Sequence, residues 1–172
     1  MKNIIFVVTI FTFVTYTLFI VYQQEKILDE GQVVILKTAP VDPRDMFRGE
    51  YVILRYEIEQ EAYDNLSVYQ KPLDRGKVYV SLNKDYRGVA YVERTMTYDY
   101  DLRPNSLYIK GEIKNDRVRF ADLEQYYVTE GLGSKIEEIP AGKLFVEIRI
   151  KDGNARVVRL LDDNLEPIEL SL

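Results

Sequence analysis

The stretch KLFVEIRIKDGNARVVRLL, residues 143–161, decides the fold class. Leu144, Val146, Ile148 and Ile150 alternate with Phe145, Glu147 and Arg149, the period of two that sends successive side chains to opposite faces of a strand. Asp152-Gly153 suits the left-handed backbone of a tight turn, and residues 155–161 then resume an apolar run. The pattern is a β-hairpin, and related units recur upstream. Residues 77–83 place Val78, Val80 and Leu82 on one face, and residues 88–93 follow a turn rich in Asn, Asp and Gly. Residues 107–113 and 117–120 flank Lys114-Asn-Asp116, a second turn. Residues 32–37 form another short apolar run, and residues 167–170 suit an edge strand, where the donor missing from Pro167 is tolerated.

Helical signals beyond the N-terminus are few. Residues 59–68 fit a helix or a loop, and residues 122–127 fit one or two turns capped by Asp122 and followed by Gly131 and Gly133. No repeat and no low-complexity tract occurs. The expected class is mainly β: one N-terminal transmembrane helix, then an antiparallel β-sandwich or partly open barrel with one or two short helices.

The expected helix is residues 4–22, a run of 19 without a charge. At 1.5 Å per residue it is roughly 28 Å long, close to the hydrocarbon thickness of a bilayer. A cleavable leader would have a shorter apolar core and a small-x-small exit, but residues 18–26 contain no Ala, Gly or Ser. The division that follows is an anchor at 1–22, a polar connector at 23–30 and a β domain at 31–172. Lys2 precedes the run, and Lys26 follows it among Glu25, Asp29 and Glu30. That asymmetry favours a cytoplasmic N-terminus, single-pass insertion in the cell membrane and an exported domain.

Composition narrows the chemistry. The chain has 23 Lys plus Arg, 28 Asp plus Glu, no His and no Cys. Its acidic balance disfavours nucleic acid and anionic membrane surfaces as partners. Without imidazole or thiol there is no Ser-His-Asp triad, Cys nucleophile or thiolate–imidazole zinc centre, and no glycine-rich phosphate loop of standard spacing is present. Asp152-Gly-Asn154 and Asp162-Asp-Asn164 lack the ligand spacing of a calcium loop and read as turns. No cofactor, metal site or catalytic residue is expected. Ser134-Lys135 are adjacent and would point apart on a strand. Paired carboxylates, as at 98–101, 137–138 and 162–163, leave open a hydrolase acting on glycan or peptide.

Tyrosine is abundant, at 14 residues. Tyr86, Tyr91, Tyr98, Tyr100 and Tyr108 crowd one stretch with Arg87, Arg94 and Arg103 between them. Exposed, they would form a stacking surface for a partner. The favoured expectation is burial within the sheet, with hydroxyls reaching the edge.

The segment Gly49-Glu-Tyr-Val-Ile-Leu-Arg-Tyr56 resembles the bacterial family named for its GDYXXLXY motif, with Glu50 where the motif has the shorter Asp. Pro40-Val-Asp-Pro-Arg-Asp45 and Phe47-Arg48 resemble the family's lead-in. Residues 123–131 and 134–137 resemble a second signature. The resemblance implies a membrane-associated protein whose partner is a multi-pass membrane protein, and it brings no catalytic residues. The candidate binding residues come from these segments: Arg44, Asp45, Arg48, Glu50, Tyr51, Arg55, Tyr126, Tyr127 and Glu130. Read physically, Asp42 caps a turn and Gly49 reverses the chain into a strand. Val52, Leu54, Tyr56 and Ile58 then face one way, and Tyr51, Ile53, Arg55 and Glu57 the other. Arg44, Asp45, Arg48 and Glu50 either satisfy one another at this corner or leave Arg44 and Arg48 for a partner's carboxylate.

Overall fold

The computed structural model describes residues 2–39, 51–66, 76–128, 136, 139–140 and 142–168. The chain begins with α1 (Lys2–Glu30), which is long and apolar enough to cross a membrane: an 18-residue stretch within it has a mean hydropathy of 2.5. Thr9, Thr12 and Thr17 donate their hydroxyls to the carbonyls four residues back, each at 2.9 Å, so they leave no unpaired polar group on its surface. The helix does not stop where the apolar run ends. The polar segment 23–30 is about two further turns of it.

Among the described residues nine strands follow: β1 (Gln32–Lys37), β2 (Tyr51–Ile53), β3 (Gly76–Lys84), β4 (Ala90–Met96), β5 (Tyr108–Ile113), β6 (Val118–Arg119), β7 (Gln125–Tyr127), β8 (Phe145–Lys151) and β9 (Asn154–Leu161). They form three antiparallel sheets, ordered β1-β8-β9, β4-β3-β5-β6 and β2-β7, and none is closed. The mainly β expectation therefore holds. The hairpins lie where local sequence places them. Asp152 and Gly153 take φ of 52° and 77° between β8 and β9, and Asn115 and Asp116 take 53° and 56° between β5 and β6. Asp162 accepts from the amides of Asn164 and Glu166 at 2.9 and 2.8 Å, so that acidic segment is a turn. Pro167 makes a single bridge to Leu161.

Three seams join the sheets among the described residues, one of them the Thr38–Tyr56 bridge between the ends of β1 and β2. Ile35 of β1 meets Val89 beside β4 in a parallel bridge. At the tip of the β8–β9 hairpin, Gly153 accepts from the Lys110 amide of β5 at 2.9 Å. A Cβ on Gly153 would fall 2.3 Å from the Tyr108 ring, so both its φ and this close approach require glycine. All three sheets contribute to one core, in which Val34, Leu36, Val78, Val80, Val118, Leu123, Val146 and Ile148 are fully buried.

The helix α2 (Glu57–Asp64) settles the first helix-or-loop segment as a helix, starting two residues earlier and burying Ile58, Glu59 and Ala62. The second segment is a correction. Only Ala121–Leu123 forms a turn, a 3-10 one without a side-chain cap, and residues 125–127 are strand β7. Tyr126 and Tyr127 favour strand, and β2 supplies a partner that local sequence does not reveal. Phe145, expected on the outward face, is buried, with the Arg87 guanidinium 5.8 Å above its ring.

The end of α1 is fastened to the β8–β9 hairpin. Arg156 donates to Gln24 Oε1 at 2.9 Å, Ile27 is buried, and Lys151 pairs with Glu30. Gly31 lets the backbone pass close to β8, since a Cβ there would sit 3.1 Å from that of Arg149, whose guanidinium donates to the Gly31 carbonyl at 3.1 Å.

Candidate functional site

The motif strand and the second signature meet in space. β2 pairs with β7 in the register Tyr51↔Tyr127, Val52↔Tyr126 and Ile53↔Gln125. The ribbon is continued by the Leu54 amide donating to the Glu124 carbonyl at 2.8 Å. Four candidate residues, Tyr51, Arg55, Tyr126 and Tyr127, thus lie on or beside one two-stranded ribbon. Arg44, Asp45, Arg48, Glu50 and Glu130 lie outside the described residues.

Alternation along the motif is as read. Val52, Leu54, Tyr56 and Ile58 are all buried, although the strand ends at Ile53 and Ile58 belongs to α2. The buried Tyr56 hydroxyl donates to the Leu123 carbonyl at 2.8 Å, and burial pushes its pKa well above the ordinary phenol value. On the other face the rings of Tyr51 and Tyr127 lie 6.0 Å apart at 57°, and Tyr127 is 71% exposed. A tilted pair of this kind contributes about 0.5 to 1.5 kcal/mol beyond its area.

Beneath the ribbon is a charged cluster that the sequence reading missed. Arg119 Nε donates to Glu124 Oε1 at 2.6 Å, and Arg55 Nη1 approaches the same oxygen at 3.7 Å, too far for a hydrogen bond. The Arg119 bond holds the Glu124 carboxyl below its usual range. Glu59 enters from the first turn of α2, only 2% exposed, and its Oε1 has no hydrogen-bond partner. Burial raises its pKa to about 7 against the pull of Arg55 and Arg119. Two carboxylates in one cluster are therefore driven in opposite directions. The only local signal was the spacing from Arg55 to Glu59. Arg119 and Glu124 arrive from remote segments.

The other singled-out region is a second correction. Tyr86, Tyr91, Tyr98 and Tyr100 are exposed, by 97, 43, 56 and 75%, and not buried in the sheet. β4 is the edge of its sheet, and these residues lie along it or in the loops at its two ends. Tyr98 and Tyr100 stack with centroids 5.1 Å apart at 15°. Two of the interleaved arginines are engaged internally. Arg87 donates to the Asp163 carbonyl at 2.8 Å, and Arg103 pairs with Glu93 at 3.1 Å. Tyr108 is half-buried, its ring 6.3 Å from that of Tyr79.

Surface clefts of about 330 to 440 Å³ occur around the molecule. One, of about 350 Å³, is lined by Tyr126, Tyr127, Asp122 and Arg156, and neither Glu59 nor Glu124 lines any of the five. Among known proteins, a family model described as GDYXXLXY protein matches residues 13–160. No curated protein and no solved structure matches the chain.

Proposed function

The chain belongs to the GDYXXLXY family, and on that ground we propose that it is a membrane-anchored, extracytoplasmic binding module that holds a multi-pass membrane protein. α1 is the single-pass anchor, with its N-terminus in the cytoplasm. The observation that carries the reading is the aromatic edge along β4. Four tyrosines in water forgo the burial their rings would gain, and aromatic residues of this kind are the usual anchors of protein interfaces. With Arg87 engaged internally, this edge offers a partner the tyrosine rings together with the exposed Arg94.

Crosslinking in native membranes, followed by identification of what co-purifies, tests the proposal. Replacing Tyr98 and Tyr100 together by Ala should lower partner recovery roughly thirtyfold, the loss of about 2 kcal/mol typical of an interface anchor. The melting temperature should stay unchanged. Undiminished recovery would remove this edge from the interface. Alanine at Arg44 and Arg48 asks the same of the motif corner: lost recovery at unchanged stability marks it as binding surface, and a large loss of stability marks it as structural.

A second reading is a cell-envelope hydrolase using paired carboxylates, favoured by the opposed shifts of Glu59 and Glu124. Such a pair has to flank a substrate in an open groove. Glu59 is buried, which weighs against it. Turnover of a peptidoglycan substrate that Glu59→Gln abolishes would reverse that judgement.

A further inference from the structure

Strand β7 of the ribbon and the exit of the helix both border Arg156. The apolar run of α1 ends at Tyr22, which is 60% exposed. Gln24 lies about 3 Å further along the axis and Glu30 about 12 Å, by helical rise. Gln24, Ile27 and Glu30 lie on one face of the helix, and all three are held by the domain: by Arg156, by burial and by Lys151. No free linker separates helix from sheet, so the height of the domain above the end of the apolar run is fixed. Arg156, bonded to Gln24, stands at the level where that run gives way to polar residues. The same Arg156 lines the 350 Å³ cleft with Ala121, Asp122, Gln125, Tyr126 and Tyr127. One arginine side chain thus links the exit of the helix to strand β7.

We infer that the ribbon is a seat on the bilayer, with the exposed Tyr127 and its ring partner Tyr51 resting in the lipid headgroup layer and Arg156 beside them. Tyrosine suits that layer, because its ring partitions toward the acyl chains while its hydroxyl stays hydrated. The occupant is lipid, because the ribbon adjoins the anchor at the height where the apolar run ends. The aromatic edge of β4 faces elsewhere. The cleft that Tyr126 and Tyr127 share with Arg156 and Val157 opens at β9, whereas β4 adjoins β1 at the opposite edge of the order β1-β8-β9. The seat rests on the anchoring reading of α1. It also supplies a second contact with the bilayer, which resists tilting of the domain about the helix exit.

The chain has no tryptophan, so a single one introduced by mutation is a clean reporter. The full chain carrying Tyr127→Trp would be placed in phosphatidylcholine vesicles containing lipids brominated on the acyl chains near the headgroup. Tyr51→Trp is a second reporter on the same ribbon, and Tyr86→Trp, on the β3–β4 turn beyond β1, is the reference. Circular dichroism checks that each variant folds. The expected result is bromolipid quenching at 127 and 51 with several-fold less iodide quenching than at 86. If the protein floats with the vesicles but position 127 is as open to iodide as position 86, the seat is overturned and the anchor stands. If the protein fails to float, the anchor falls and the seat with it.

Discussion

Tyr56 and Tyr100 are the same residue in the same small domain, and they have opposite fates. Tyr56 follows a strand whose alternate residues face the core. It is 1% exposed, and its hydroxyl is satisfied by the Leu123 carbonyl. Tyr100 follows an edge strand, is 75% exposed and stacks on the ring of Tyr98. Where a strand sits in its sheet, and whether a buried hydroxyl finds an acceptor, decides which tyrosine builds the fold and which is left for other molecules.

The largest test of that contrast is truncation. Tyr56→Ala should cost about 3 to 5 kcal/mol, as for other large aromatic core residues, and equal denaturation midpoints for Tyr56→Ala and Tyr100→Ala would break the comparison. The buried charge beside Tyr56 provides the next test. The carboxyl of Glu59 has a folded pKa of about 7 against an ordinary value of 4.5. Below about pH 4.5 both folded and unfolded states hold its proton. Between there and pH 7 the folded state binds more protons, so stability falls as pH rises, and above 7 the loss is complete. Glu59→Gln should flatten that window and raise stability above pH 7 by on the order of 2 to 3 kcal/mol. A wild-type stability that is level from pH 5 to 8 in urea titrations would contradict the burial of an ionised Glu59. Smaller again is Tyr56→Phe, which leaves the Leu123 carbonyl unpaired and should cost about 1 to 2 kcal/mol in the same titrations. Smallest is Tyr100→Ala, with a stability change within about 0.5 kcal/mol, as for a surface position.

The hairpins were legible because each is written in consecutive residues. Asp152-Gly153 and Asn115-Asp116 specify their own left-handed turns, and alternation on either side supplies the register. The buried row of the motif was legible for the same reason. The β2–β7 ribbon was not, since three-residue strands drawn from separate parts of the chain carry too little pattern, and residues 122–127 matched a helical turn equally well. Alternation also does not say which strand is the edge, so the exposure of Tyr91 and its neighbours was invisible until the order β4-β3-β5-β6 was known. Glu59 was hidden because Arg119 and Glu124 are brought to it by tertiary structure, and the nearby Arg55 alone gives no sign of its burial.

The pairing of β1 has a consequence for how the protein is made. Gln32 lies opposite Ile150 and Lys37 opposite Phe145, so the strand that leaves the helix finds its partner only near the other end of the chain. At ordinary elongation rates the ribosome needs roughly ten seconds to supply that partner. For that interval α1 is already complete while β1 is an unpaired strand tied to its end. The β8–β9 hairpin, nearly the last element synthesised, closes the sheet and grips the helix in one step, so a chain cut short before residue 145 has neither.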